Sequence, residues 1–298
     1  MAPLPFRHFL LALCVVAIWG SNFVVIKYAL HALPPMTLAV LRFSFAFLPA
    51  CFFLRRPAVD WRNLGGYGLF IGVGQFGLLY LAMRSQISPG LASLVVQTQV
   101  FFTLLLAVRL RKEKVLATQW LGLALAAGGV GVIALHTDGS TTPLGVAMVL
   151  AAAFCWACAN LLTQRAGRID MLAYVVWSSA FAVPPLLVLA LLIDGPQQIA
   201  AGLAAADLGT WAAVLWQAVG NTLFGYGLWS WLLARHAAGR IVPLALLVPV
   251  FGMGSASLLL AEPLPGWKLA AAALVLGGLA INLFGPQLMR WRAASREA

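Results

Sequence analysis

Apolar residues run along this chain in long stretches separated by short polar gaps. Ten stretches can be placed, at about 9–29, 34–54, 64–83, 88–109, 116–135, 143–163, 171–193, 211–233, 239–260 and 266–288. Each is close to the ~20 residues a helix needs to cross a hydrocarbon layer ~30 Å thick. The pattern predicts an all-α membrane protein with ten transmembrane helices. Arg7 and the apolar run behind it resemble the start of a secretory signal. The run continues through Phe23-Val24-Val25-Ile26 with no small-residue cleavage site behind a short core, so it is expected to remain as the first span.

Charge gives the stretches a direction. Of the 19 basic residues, 15 fall in alternate gaps. Arg7 precedes the first stretch. Arg55, Arg56 and Arg62 follow the second, and Arg109, Arg111, Lys112 and Lys114 the fourth. Arg165 and Arg168 follow the sixth, Arg235 and Arg240 the eighth, and Arg290, Arg292 and Arg296 the tenth. The other gaps hold only Lys27, Arg84 and Lys268 at their edges, and Arg42 lies inside the second stretch. Short basic loops stay in the cytoplasm, which predicts both termini inside and a multi-pass protein of a bacterial inner membrane.

Composition agrees with this class. Mean hydropathy is +0.95, with 62% apolar and 9% charged residues, which excludes a soluble domain. A net charge of +11 would point to nucleic acid in a soluble chain. Here it sits in short loops, where it sets topology and touches anionic lipid, so nucleic acid is not an expected partner. The gaps are too short for a catalytic, ATP-binding or receptor domain, and no G-x-x-x-x-G-K-[ST] occurs. No enzyme activity, cofactor or metal is expected. Cys155-x-x-Cys158 lies mid-span between Phe154, Trp156 and Ala157 and reads as packing rather than as a redox pair.

The second half echoes the first. Trp19 and Asn22 in the first span correspond to Trp156 and Asn160 in the sixth. Gln99-Val100-Phe101 corresponds to Pro249-Val250-Phe251. Glu113 and Gly128-Gly129 correspond to Glu262 and Gly277-Gly278 at equal separation. The units are 1–138 and 139–298, five spans each. An odd number makes the second unit enter from the opposite side, an inverted repeat with its site at the interface near the midplane. Gly122, Ala126, Gly128, Gly129 and Gly131 in the fifth span recur as Ala270 to Ala273, Gly277 and Gly278 in the tenth. Such small faces let backbones approach, and assign these spans to scaffold or dimer contacts. The oligomeric state is not legible.

Polar groups at membrane depth must face the bundle or a wet cavity. Asn22, Gln75, Gln97, Gln99, Asn160, Gln164, Gln217 and Asn221 are the candidates. Any one of them could serve only an interhelical bond of ~0.6 kcal/mol. Together with Trp19, Tyr80, Trp156, Trp177, Tyr226 and Trp229 they read as the lining of a cavity for a small amphipathic solute. Gln97 and Gln99 lie about 200° apart on a helix, so one is expected on the path and the other against a neighbouring helix. All eight acids fall in gaps or at span ends, which leaves proton coupling without a buried carboxylate to support it. Lys27 is expected to snorkel to the surface. Arg42 suits either a substrate carboxylate or the carbonyls at a helix end. Pro243 and Pro249 are expected to break the ninth span as hinges or fixed kinks, and Pro184-Pro185 to interrupt the seventh.

Several segments resemble a known family. Trp19-Gly20-Ser21-Asn22-Phe23-Val24-Val25-Ile26-Lys27, Leu41-Arg42-Phe43, Gly90-Leu91-Ala92-Ser93-Leu94-Val95-Val96-Gln97, Ala151 to Cys158 and Leu246-Leu247-Val248-Pro249-Val250 are similar to EamA-type members of the drug/metabolite transporter superfamily. The likeness is greatest to bacterial exporters of amino acids and cysteine-pathway metabolites. It implies a ten-helix inverted-repeat carrier with a central cavity. It puts Trp19, Asn22, Gln97, Trp156 and Pro249 in family-like segments. The expectation is a carrier that exports small amino acids or related metabolites by alternating access. Its expected solute-binding residues are Trp19, Asn22, Arg42, Gln75, Tyr80, Gln97, Gln99, Trp156, Asn160, Trp177, Asn221 and Tyr226, with hinges at Pro243 and Pro249. A different small metabolite or drug, or a non-transporting assembly subunit, are the alternatives.

Overall fold

The computed structural model describes residues 4–112, 115–136 and 140–297. Glu113 and its sequence pairing with Glu262 lie partly outside these residues. Every regular element among them is helical. Nine rods among the described residues are long and apolar enough to cross a membrane: α1 (Phe6–Ala32), α2 (Pro35–Phe52), α3 (Trp61–Ser85), α4 (Pro89–Leu110), α5 (Ala117–Leu135), α6 (Pro143–Ala166), α7 (Met171–Ala205), α9 (Gly239–Leu260) and α10, whose apolar part is Gly266–Gly285. The expected eighth span is also helical, as α8 at residues 208–235. It is less apolar because it carries Gln217, Asn221, Thr222, Tyr226 and Ser230.

The helix starts follow local chemistry. Pro35, Pro89 and Pro143 open α2, α4 and α6, where a missing N–H costs nothing. Thr142 and Asp170 cap α6 and α7 with their side-chain oxygens.

The repeat shows in paired irregularities. α3 and α8 each contain nine π-helical residues, Leu69–Gly77 and Trp216–Phe224. α4 and α9 each pass through a 3₁₀ turn, Val96–Thr98 and Val242–Leu247, and then a 13-residue helix, Gln99–Arg111 and Val248–Leu260. Both helices end on a left-handed residue, Lys112 at φ 54° and Ala261 at φ 52°. This register sets Gln99 against Val248 and Pro249 against Val100, one residue away from the pairing read in the sequence.

The prolines fall in two settings, and Pro184-Pro185 do not make the interruption expected in α7. Pro243 and Pro249 are the second residues of the 3₁₀ turn and of the helix that follows it. α4 has a shorter 3₁₀ turn at the matching place without proline, three residues against six, so part of the irregularity belongs to the repeat. Pro184 and Pro185 lie inside a helix that runs unbroken from Met171 to Leu189, with a π-helical turn, Ala190–Asp194, behind it. The gap 194–210 between the seventh and eighth stretches contains the helix Gly195–Ala205. Gly195, at φ 77°, makes the bend before it.

α5 and α10 pack face to face through their glycines. A Cβ on Gly122 would strike the Gly278 carbonyl, and one on Gly278 the Gly122 carbonyl. Gly20 of α1 approaches Phe251 and the Val248 carbonyl of α9 equally closely. In lipid, such contact substitutes for the hydrophobic drive that a soluble core would have.

Ties between helices occur at both ends of the bundle, among them the bonds of Asn63 to Tyr174 and to the Leu162 carbonyl at the arginine-rich end. At the end opposite the arginine-rich gaps, Asp194 of α7 accepts from the Thr37 N–H and hydroxyl of α2 at 2.7 and 2.8 Å. Glu262, behind α9, accepts from Ser88 and from the Gly90 N–H at the start of α4, and pairs with Lys268 of α10 at 3.0 Å. Lys27 does not snorkel freely: its ammonium donates to the Met83 and Arg84 carbonyls at the end of α3, each at 3.0 Å. At the arginine-rich end, no residue of the α9 turn Val242–Leu247 is buried.

Candidate functional site

Arg42 sits inside α2 with 2% of its surface exposed. Its guanidinium donates to the Tyr80 hydroxyl of α3 at 2.9 Å and to the Thr222 hydroxyl of α8 at 3.3 Å. It lies 3.6 Å over the ring of Phe76. Tyr80 in turn donates to the Gln217 amide oxygen, and Thr222 to the Gln217 carbonyl at 2.9 Å. No carboxylate among the described residues lies within ion-pairing distance of Arg42, and its Nε has no hydrogen-bond partner. A buried charge costs several kcal/mol in desolvation. Two hydrogen bonds of about 1.5–3 kcal/mol and a desolvated cation–π contact of about 2 kcal/mol offset most of that. The positive charge itself remains uncompensated, which is the electrostatic condition for holding an anionic group.

Trp19 of α1 closes the next layer. Its indole N–H donates to the Asn221 carbonyl at 3.1 Å, and its ring lies 5.6 Å from Tyr226 and 5.1 Å from Trp229. Gly225 permits this: a Cβ there would strike the indole nitrogen. Tyr226 also lies beside Tyr67 of α3. Asn22, one turn further along α1, is 3% exposed, and its Oδ1 has no partner.

The whole length of this arrangement matches one family description. The model of the EamA-like transporter family fits the chain twice, at residues 7–135 and 143–284. The chain belongs to the EamA-like transporter family. It is 44% identical over 286 residues to a protein of Salmonella typhimurium named "Probable amino-acid metabolite efflux pump", covering 94% of this chain and 96% of that one. An Escherichia coli protein of the same name is 42% identical, covering 95% and 96%. A solved structure at 17% identity covers 92% of this chain and 95% of its own with a TM-score of 0.63, which shows the shared fold. This EamA-like chain is thus a multi-pass membrane transporter by family and not an enzyme.

The other predicted site residues of this EamA-like transporter divide into three groups. Gln99 and Asn160 meet away from Arg42: the Asn160 amide donates to Gln99 Oε1 at 2.7 Å and to Thr103 at 3.2 Å, tying α6 to α4. Gln99 is therefore the glutamine that bonds a neighbouring helix. Trp177 donates to the Leu54 carbonyl at 3.0 Å and packs edge-on against Phe47, which fastens α7 to the end of α2. Gln75, in the α3 π segment, and Gln97, in the α4 turn, are buried, and Trp156 is half-buried against the core. Next to it, Cys155 fills the space over Gly74, in keeping with a packing role.

Two members of the Arg42 cluster carried no usable sequence signal. Thr222 reads as one more helical threonine, whose hydroxyl ordinarily bonds the preceding turn. Phe76 is one of 17 phenylalanines in an apolar chain. Gln217 was visible as a polar residue at depth, but its partner was not.

Proposed function

We propose that this chain is a carrier in a bacterial inner membrane that exports small amino acids or related metabolites by alternating access. The observation that carries the cargo class is Arg42: buried, held by neutral partners, and without a carboxylate of its own. A solute carboxylate supplies the missing negative charge. The names of the two close relatives support the same class.

The arginine-rich end is read as cytoplasmic. Solute enters there, beside the α9 turn that has no buried residue, and passes the aromatic group of Trp19, Tyr226 and Trp229 towards Arg42. The two halves then rock about the repeat interface, and the Asp194 and Glu262 ties at the far end give way for release.

Thermal melting of the purified protein against a panel of L-amino acids tests the cargo class. A ligand that binds the folded state raises Tm with its concentration. The reading predicts saturable shifts for a narrow set of amino acids, absent in Arg42→Gln. Equal, unsaturable shifts for every amino acid, or shifts unchanged in Arg42→Gln, contradict it.

A further inference from the structure

We infer that Gln217 of α8 is a positioning residue that sets the charge preference of the Arg42 site: it holds both hydroxyls that bind Arg42, and its neutrality leaves that site positive. This rests on the carrier reading above. Gln217 is fully buried and reaches Arg42 through Tyr80 and Thr222.

A guanidinium carries donors and no acceptor. The Tyr80 and Thr222 hydroxyls, 2.9 and 3.3 Å from Arg42, must therefore accept from it. Both are buried, and each has one proton left to place. Both protons go to Gln217. Tyr80 donates to its side-chain oxygen, and Thr222 to its main-chain carbonyl at 2.9 Å. The amide is oriented in turn. Its NH₂ donates to the Ala213 carbonyl at 3.3 Å, which can only accept, so the amide oxygen is left for Tyr80. The π-helical segment Trp216–Phe224 brings Thr222 over the same residue, because a π turn joins positions five apart.

The absence of charge at this position matters as much as the bonds. A glutamate has nearly the shape of glutamine and could take the Tyr80 proton equally well. Its carboxylate would stand two hydrogen bonds from the guanidinium, inside the about 4–6 Å over which an opposite charge acts strongly. It would supply from within the protein the negative charge that a solute carboxylate is read to supply. Glutamine accepts the proton and brings no charge, so Arg42 is held in place without being neutralised.

The test is a titration of melting temperature with L-leucine and with L-leucinamide, which keeps the side chain and amino group and lacks the carboxylate. Ligand that binds the folded state raises Tm with its concentration. In wild type, L-leucine is expected to half-saturate the shift at a concentration at least tenfold lower than L-leucinamide. Gln217→Glu is expected to lose that preference. Gln217→Met, with neither acceptor nor charge, is expected to bind leucine severalfold more weakly and to keep the preference. A purely structural role would move both variants alike. Equal effects of the two variants, or a preference intact in Gln217→Glu, overturn the assignment and leave the carrier reading standing. Unchanged leucine binding in Gln217→Met does the same, and decides the matter alone should Gln217→Glu show no folding transition. Where leucine is not bound, the L-amino acid that is, with its own amide, takes its place. If wild type binds no L-amino acid, or binds the amide as well as the acid, the cargo class falls and the assignment with it.

Discussion

Glu262 and Lys268 meet 3.0 Å apart inside the protein, with Lys268 fully buried. Glu262 is shared further: its second oxygen accepts from the Gly90 N–H at the start of α4. One carboxylate therefore neutralises α10's lysine and caps a helix of the other repeat, where the positive end of the helix dipole also favours it. Removing it strands a buried ammonium. Glu262→Gln is predicted to cost about 3–5 kcal/mol, the range for breaking a buried pair. Glu262→Gln with Lys268→Met should recover most of this. Thermal melting of both variants checks the prediction; equal melting of single and double variants would falsify it.

Asp194 holds the start of α2 as Glu262 holds the start of α4, and at the same end of the bundle. Asp194→Ala removes the acceptor for both the Thr37 N–H and its hydroxyl. The closure at that end should loosen. Ser93, fully buried one turn inside the start of α4 at that same end, reports on this once replaced by cysteine in a background without Cys14, Cys51, Cys155 and Cys158. A membrane-impermeant maleimide added from that side is predicted to label Ser93→Cys several times faster when Asp194→Ala is present. Unchanged labelling counts against a role in closure.

Glycines on α5 should differ sharply by position. A methyl on Gly122 would enter the Gly278 carbonyl, while one on Gly128 meets nothing within 4 Å. Gly122→Ala forces the two helices apart at a cost of about 1–3 kcal/mol. Gly128→Ala is neutral or gains up to about 1 kcal/mol from helix propensity. Melting temperatures of the two variants decide it, and a reversed order would show the α5–α10 pairing to be misread.

His8 and His236 are joined ring to ring at 2.6 Å where the start of α1 meets the end of α8. Desolvation lowers the His236 pKa from 6.5, and His8, Arg240 and Arg235 lower it further. The folded protein thus binds the proton less readily than the unfolded chain. Stability is full above about pH 6.5 and declines as pH falls below it, towards the lower folded value. Melting should drop between pH 7.5 and pH 5.5, and His236→Gln should flatten that drop. A wild-type melt independent of pH in this window counts against the pair.

Much of the fold was legible because membrane spans advertise themselves by length and hydropathy, and the Glu-to-GlyGly spacing exposed the repeat. The helix Gly195–Ala205 was hidden because Gly195-Pro196 reads as a break, and a glycine at φ 77° is a bend instead. The interruption expected at Pro184-Pro185 was misread, since the helix runs through both. Proline is disruptive inside a helix and neutral in its first turn, and only the register of the 3₁₀ turns tells which applies. At the site, Arg42 and Tyr80 were legible as anomalous residues. Their bond to each other, the Tyr80 bond to Gln217 and the stacking of Phe76 were not, since pairing across 38 and 137 residues leaves no local pattern.

Counterflow in proteoliposomes tests the central claim most directly. Vesicles preloaded with one unlabelled L-amino acid are given the same amino acid, labelled, outside, and the panel is run for wild type and Arg42→Gln. The account predicts transient, saturable accumulation for a narrow set of amino acids in wild type, lost in Arg42→Gln. Accumulation that survives in Arg42→Gln, or that occurs for no amino acid at all, would contradict it.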